Sequence, residues 1–267
     1  MPQIPADMVT ITRVSTIIWA LLVSAVLSVG SWWHPAREFR ERMLREWKPS
    51  LAIGLSYMLS QFLGGTRIFP FYSIAIFCQA MIGLALARGL VGYEPLPIAQ
   101  PVNGQKKWIE SLSRFLTGAL VITIAALVVN GLIGSVLMQL FGETISNPQG
   151  LAAFFPGNAW QSFFLMLAGA GIYEETLFRL VCVSLFWRLA HRPWVGILIS
   201  ALLFGAYHLS PLDSAYLQYW ERPFTVFSLS AIMGVVMGYA YQKYGYETVV
   251  LGHTLGNWVA LLLSRAG

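Results

Sequence analysis

Apolar residues fall along this chain in long blocks, without the alternation of a half-buried strand or the single stripe of a soluble helix. Eight such blocks, near 14–32, 50–65, 69–87, 115–140, 161–187, 194–209, 223–242 and 248–264, carry almost no charge. The hydrocarbon core of a bilayer is about 30 Å thick and is crossed by about 20 apolar residues of helix. The pattern therefore predicts an all-α fold, a polytopic membrane helix bundle of about eight transmembrane helices, forming a single membrane domain over 1–267. The second and eighth blocks are short and interrupted by glycine. Between the blocks lie polar or Pro-rich connections such as HPAREFRERMLREWKP, YEPLPIAQPVNGQKKW and SPLDSAYLQYWERP, and no internal repeat stands out. The first block, VSTIIWALLVSAVLSVGS at 14–31, is read as a retained span. It follows Asp7 and Arg13 rather than a basic cluster, and no A-x-A cleavage site comes after it.

Composition strengthens this reading. The chain is 57% hydrophobic and 11% charged, with a mean hydropathy of +0.63, too apolar for a water-soluble globule. Cys78 and Cys182 both fall within spans and read as packing residues. The net charge of +5 is a topology signal and no nucleic-acid footprint, because the cations collect in alternate loops. Arg37, Arg40, Arg42, Arg45, Lys48, Arg88, Lys106, Lys107, Arg114, Arg188, Arg192 and Lys243 fall on one side. Arg13, Arg67, Arg222 and Arg265 fall on the other, and Arg179 lies within a span. Positive loops stay in the cytoplasm, so both termini are expected outside, with the bilayer as partner. The 37–48 connection suits an amphipathic interfacial helix.

The candidate chemistry sits in the last four spans. YEETLFR, at 173–179, places two carboxylates and an arginine mid-span, where each charge costs several kcal/mol unless it is partnered. Glu175 and Arg179 are four apart and share a helix face, which allows an ion pair. Glu174 is turned about 100° away without that partner. FGAYH, at 204–208, stacks Phe204 and His208 one turn apart, and GHTLGN, at 252–257, does the same for His253 and Asn257. A carboxylate with a histidine deprotonates water, and a histidine with an amide stabilises an oxyanion. That set suits hydrolysis of a peptide bond without a side-chain nucleophile. The bland readings are a structural Glu–Arg pair, a helix-end histidine and helix-gluing polar residues. A transporter or proton relay also uses buried Glu and His, and a non-catalytic immunity or scaffold protein could carry the same residues. GVVMG, at 234–238, reads as a helix-packing face.

EETLFR, FGAYH and HTLGN in this order resemble the CAAX-protease and bacteriocin-processing family of glutamate-type intramembrane proteases, which includes the type II CAAX prenyl endopeptidases. The resemblance covers a core at 110–265 and leaves the helices of 1–109 outside. It implies Glu174 as general base with His208 as its partner, and His253 and Asn257 at the oxyanion. Glu175 and Arg179 would be a supporting pair, with Phe204 beside them. It also implies a protein or peptide substrate and a multi-pass protein of a bacterial cytoplasmic membrane. No metal is expected. Glu174, His208 and His253 would be the ligands of a zinc alternative, but the HExxH spacing is absent. Counting residues from the helix ends puts His253 roughly 10 Å shallower than His208.

Overall fold

The computed structural model describes residues 6–66, 70–98, 108–144, 155, 157–213 and 216–266. Among them there are helices and turns and no strand. Each of the eight segments expected to span is helical. In chain order they are α1 (Ala6–Trp32), α3 (Trp47–Leu63), α4 (Pro70–Ala87), α5, α6, α7 (Pro193–His208), α9 (Pro223–Tyr244) and α10 (Tyr246–Ala266). Two of them are wound unevenly. The rod α5 is α-helical over Trp108–Val128, passes through a π-helical turn at Val129–Ile133, and resumes at Gly134–Phe141. The rod α6 begins α-helical at Ala159–Met166, is π-wound through Leu167–Glu174 and Thr176–Val183, and ends at Ser184–Ala190. Two short helices lie in connections, α2 (His34–Arg45) and the single turn α8 (Tyr216–Tyr219).

Arg13–Trp32, Ile109–Phe141 and Pro223–Tyr244 are long and apolar enough to cross a membrane, and Phe71–Ala87 and Pro193–His208 are apolar but shorter. Leu21, Leu120, Ile124 and Leu202 are exposed on the outer faces of their helices, while Leu84, Ile122, Leu180, Met237, Tyr241 and Val249 are buried together inside. A bundle apolar on both sides is built for lipid. The expected amphipathic segment is α2. Its outer face carries Arg37–Glu41 and Arg42–Glu38 pairs at 3.0 and 2.8 Å, and its inner face buries Met43 against Met81 and Ala85 of α4.

Close backbone approach sets the core of the bundle. Gly234 and Gly238, from the expected packing motif, seat α9 on α7; a Cβ at Gly234 would lie 2.7 Å from the Ala201 Cα. Pro193 and Pro223 each begin a helix, where the missing N–H costs nothing. The start of α9 is also capped from outside its own sequence. Glu143, just beyond α5, accepts hydrogen bonds from the backbone N–H groups of Phe224 and Thr225 at 3.0 and 2.9 Å. Desolvation opposes its ionisation, but the bonds from Thr225 and Phe224 and the nearby Arg222 outweigh it, so the carboxyl titrates below its ordinary range. A lowered carboxylate pKa stabilises the fold above the unfolded-state value and is lost as pH falls through the folded one. Glu143→Ala should therefore lower the thermal midpoint at neutral pH, by the order of 1 kcal/mol expected for a helix cap. The difference from wild type should shrink toward pH 3 in a detergent-solubilised melt.

Candidate functional site

Arg179 and Glu175, one turn apart on the π-wound part of α6, are both buried, with side chains 1% and 0% exposed and Nε 3.0 Å from Oε2. The contact lacks the direction of a good hydrogen bond, since the guanidinium nitrogens and Glu175 Oε2 find no hydrogen-bonded partner. It is an ion pair held by charge and by packing. The guanidinium instead rests on the Phe204 ring of α7, 4.7 Å from its centroid. The other Glu175 oxygen, Oε1, accepts from Nδ1 of His253 on α10 at 2.7 Å. One carboxylate thus ties α6 to α10 while its cation ties α6 to α7.

That tie orients the histidine. With Nδ1–H committed to Glu175, His253 turns Nε2 toward Glu174 Oε2, 3.9 Å away. This is too long for a hydrogen bond and within the span of a water molecule bonded to both. Glu174 Oε2 is buried and has no hydrogen-bond partner among the described residues. His208, the last residue of α7, donates from Nδ1 to its own helix carbonyl at Phe204, 2.8 Å away. Its Nε2 points to Asp213 Oδ2 at 3.9 Å. Ligand-capable atoms of Glu174, His208 and Asp213 all lie within 4.8 Å of one another. Phe204 stacks edge-on against His208, with centroids 4.6 Å apart, and lies 6.1 Å from the His253 ring. Asn257 is half-buried one turn beyond His253. Behind it Gly256 lets α10 close on α5, where a Cβ would meet Ala126 Cβ at 2.8 Å.

Of the residues expected from the sequence, Glu174, Glu175, Arg179, Phe204, His208 and His253 lie within these contacts, and Asn257 lies one turn beyond His253. The expected depth gap between His253 and His208 closes, because counting along separate helices assumes that they run parallel and evenly wound. The real α6 is π-wound through the site and brings Glu174 within reach of both rings. Two residues were not foreseen. Asp213 is buried in the turn after α7, and its only signal was an acidic residue five positions past His208. Tyr219 of α8 packs against His208 with ring centroids 5.7 Å apart. Burial, then the charges of Asp213 and Glu174, push its phenol well above the ordinary range, so it remains a hydroxyl donor.

Residues 156–259 are similar to the family described as Type II CAAX prenyl endopeptidase Rce1-like. The match starts later than the expected core at 110–265, so α5 lies outside it. Neither any curated protein nor any solved structure matches the chain. This likeness and the apolar helices together point to an integral membrane protein similar to the CAAX-type proteases in general.

Breaking the buried pair from one side leaves a charge stranded, at a cost of about 3–5 kcal/mol. Glu175→Ala and Arg179→Ala should each lower folded yield and thermal midpoint sharply. The double variant Glu175→Leu/Arg179→Met should recover most of that loss, as read by size-exclusion profile and melting in detergent.

Proposed function

We propose that the protein is a glutamate-type intramembrane endopeptidase that hydrolyses a peptide bond of a membrane-associated, lipid-modified or exported polypeptide. The observation that carries this reading is Glu174 Oε2, buried without a hydrogen-bond partner among the described residues, 3.9 Å from His253 Nε2 and grouped with His208. A buried acceptor left without a partner is costly unless something binds it in the working state. Water between Glu174 and His208 loses a proton to the carboxylate, and the resulting hydroxide attacks the substrate carbonyl. The oxyanion that forms is met by the His253 side chain and by the Asn257 amide. The proton taken by Glu174 passes to the leaving nitrogen as the C–N bond breaks. Glu175 and Arg179 touch no substrate and act by holding His253 and α6 in place.

This mechanism uses no metal. One observation favours a second reading, the grouping of Glu174, His208 and Asp213. Their O, N and O donors would suit zinc, with Asp213 taking the place expected for His253, and the Phe204 carbonyl already orients His208 as a ligand's outer partner does. Zinc there would acidify a bound water.

Glu174→Gln should cost at least about 100-fold in cleavage, the scale of a lost general base, with little change in melting. Mass spectrometry of membrane peptides from cells carrying the native or the Glu174→Gln protein is the direct assay, and identical peptide sets would sink the proposal. The metal-free mechanism further requires that purified protein keep its activity after exhaustive chelation. Loss of activity with chelation and its return with zinc would favour the second reading.

A further inference from the structure

A cavity of about 230 Å³ lies at one end of the bundle, where four elements end or begin. The loop after α4, the first two turns of α5, the last turn of α9 and the first turn of α10 wall it. Glu94, Ser111, Arg114, Phe115, Lys243 and Tyr244 are in its lining, and no residue of the candidate site is. Its walls are anchored. The Tyr93 hydroxyl donates to the Tyr241 carbonyl, the Tyr246 N–H to the Pro95 carbonyl and the Ile98 N–H to the Glu247 carboxylate, each at 2.8 Å. Gly245, at φ 87°, makes the turn between α9 and α10 and leaves no room for a side chain beside Pro97.

The charges in this cavity do not cancel. Arg114 and Lys243 are both exposed, and Arg114 is close enough for its charge to act on Lys243. Among the described residues neither forms an ion pair. Glu94, the carboxylate of the lining, gives Oε2 to Arg88 at 2.8 Å and Oε1 to the Leu96 N–H at 3.0 Å. Lys243 Nζ stands 5.9 and 5.1 Å from the ring centroids of Tyr239 and Tyr244, contacts that steady the ammonium without neutralising it. Two cations facing one cavity repel unless an anion lies between them. The ends of membrane helices are where phospholipid headgroups stand. Each cation also heads an apolar ridge. Val121, Ile124 and Val128 follow Arg114 at helical spacing along α5, and Tyr239 and Val235 precede Lys243 along α9, all of them exposed. The two helices run side by side, with Gly118 facing Tyr244 and Gly134 facing Leu229.

We infer that this cavity binds the headgroup phosphate of an anionic phospholipid between Arg114 and Lys243, with the acyl chains lying along α5 and α9. Ser111 and Gln242, also in the lining, add neutral donors for the remaining headgroup oxygens. A free phosphate shares the charge and lacks the chains, so the ridges below the two cations favour the lipid. The inference stands whether or not Glu174 serves hydrolysis.

The test is a melt of the delipidated full-length protein in neutral detergent, titrated with dioleoyl phosphatidylglycerol. The lipid should raise the thermal midpoint in a saturable way. In Arg114→Gln/Lys243→Gln the half-saturating concentration should rise by at least about tenfold, with the lipid-free midpoint unchanged. If the double variant fails to accumulate, Arg114→Gln alone should raise it about fivefold. Arg45→Gln/Lys48→Gln removes the same charge from exposed positions near α2 and α3 and should leave the titration as in wild type. An equal shift in both double variants, or none in either, overturns the inference, because binding would then follow surface charge in general or ignore it. Dioleoyl phosphatidylcholine and inorganic phosphate, each at the same concentrations, should give no comparable rise. A rise with inorganic phosphate equal to that with the lipid assigns the cavity to a soluble anion, and an equal rise with phosphatidylcholine removes the charge selectivity; either result overturns the inference.

Discussion

Everything at the centre of this bundle follows from an arginine that never meets water. Three helices must agree to keep Arg179 there. Glu175 supplies the countercharge from one turn earlier, Phe204 of α7 supplies a ring face, and His253 of α10 occupies the second oxygen of that carboxylate. Removing two ions from water costs more than their attraction returns unless further contacts complete the set. The completing contacts here come from two other helices, so the pair acts as a registration device for α6, α7 and α10.

That registration separates two neighbouring acids that are chemically identical in isolation. Glu175 is spent on structure, with both oxygens engaged by Arg179 and His253. Glu174 Oε2 addresses the opposite nitrogen of the same imidazole from 3.9 Å and has no hydrogen-bond partner among the described residues. The π-winding of α6 makes the difference possible. Such winding accumulates at functional sites because it shifts a side chain off the face its number would assign. The glycines of α9 contribute at a distance, since the close seating of α9 on α7 sets where Phe204 and His208 stand.

Much of this was legible from residue order. Long uncharged blocks read as helices in lipid, so all eight segments emerged, six of them with limits within three residues, while α1 and α5 begin eight and seven residues earlier than their apolar blocks. The four-residue spacings of Glu175 with Arg179 and Phe204 with His208 carried directly into contacts, because each pair lies within one helix. Relations between helices were harder to read. The meeting of His253 with Glu175 depends on how α10 leans across α6, which no spacing encodes, and helix-end counting misjudged its depth. Asp213 was hidden for a different reason. It lies in an irregular turn, where no periodicity says which way a side chain faces. The carboxylate of Glu143, which caps a helix 80 residues away in the chain, is invisible to any local rule for helix starts.

The tight apolar packing beneath Glu175 has a consequence for the cell as well as for the site. A membrane that stores energy as an ion gradient cannot tolerate a continuous wet path across it. A protein that admits water to mid-bilayer therefore needs a stopper on the far side. Leu180, Val183, Met237 and Tyr241 pack closely together there, the kind of filling that closes a bundle to ions.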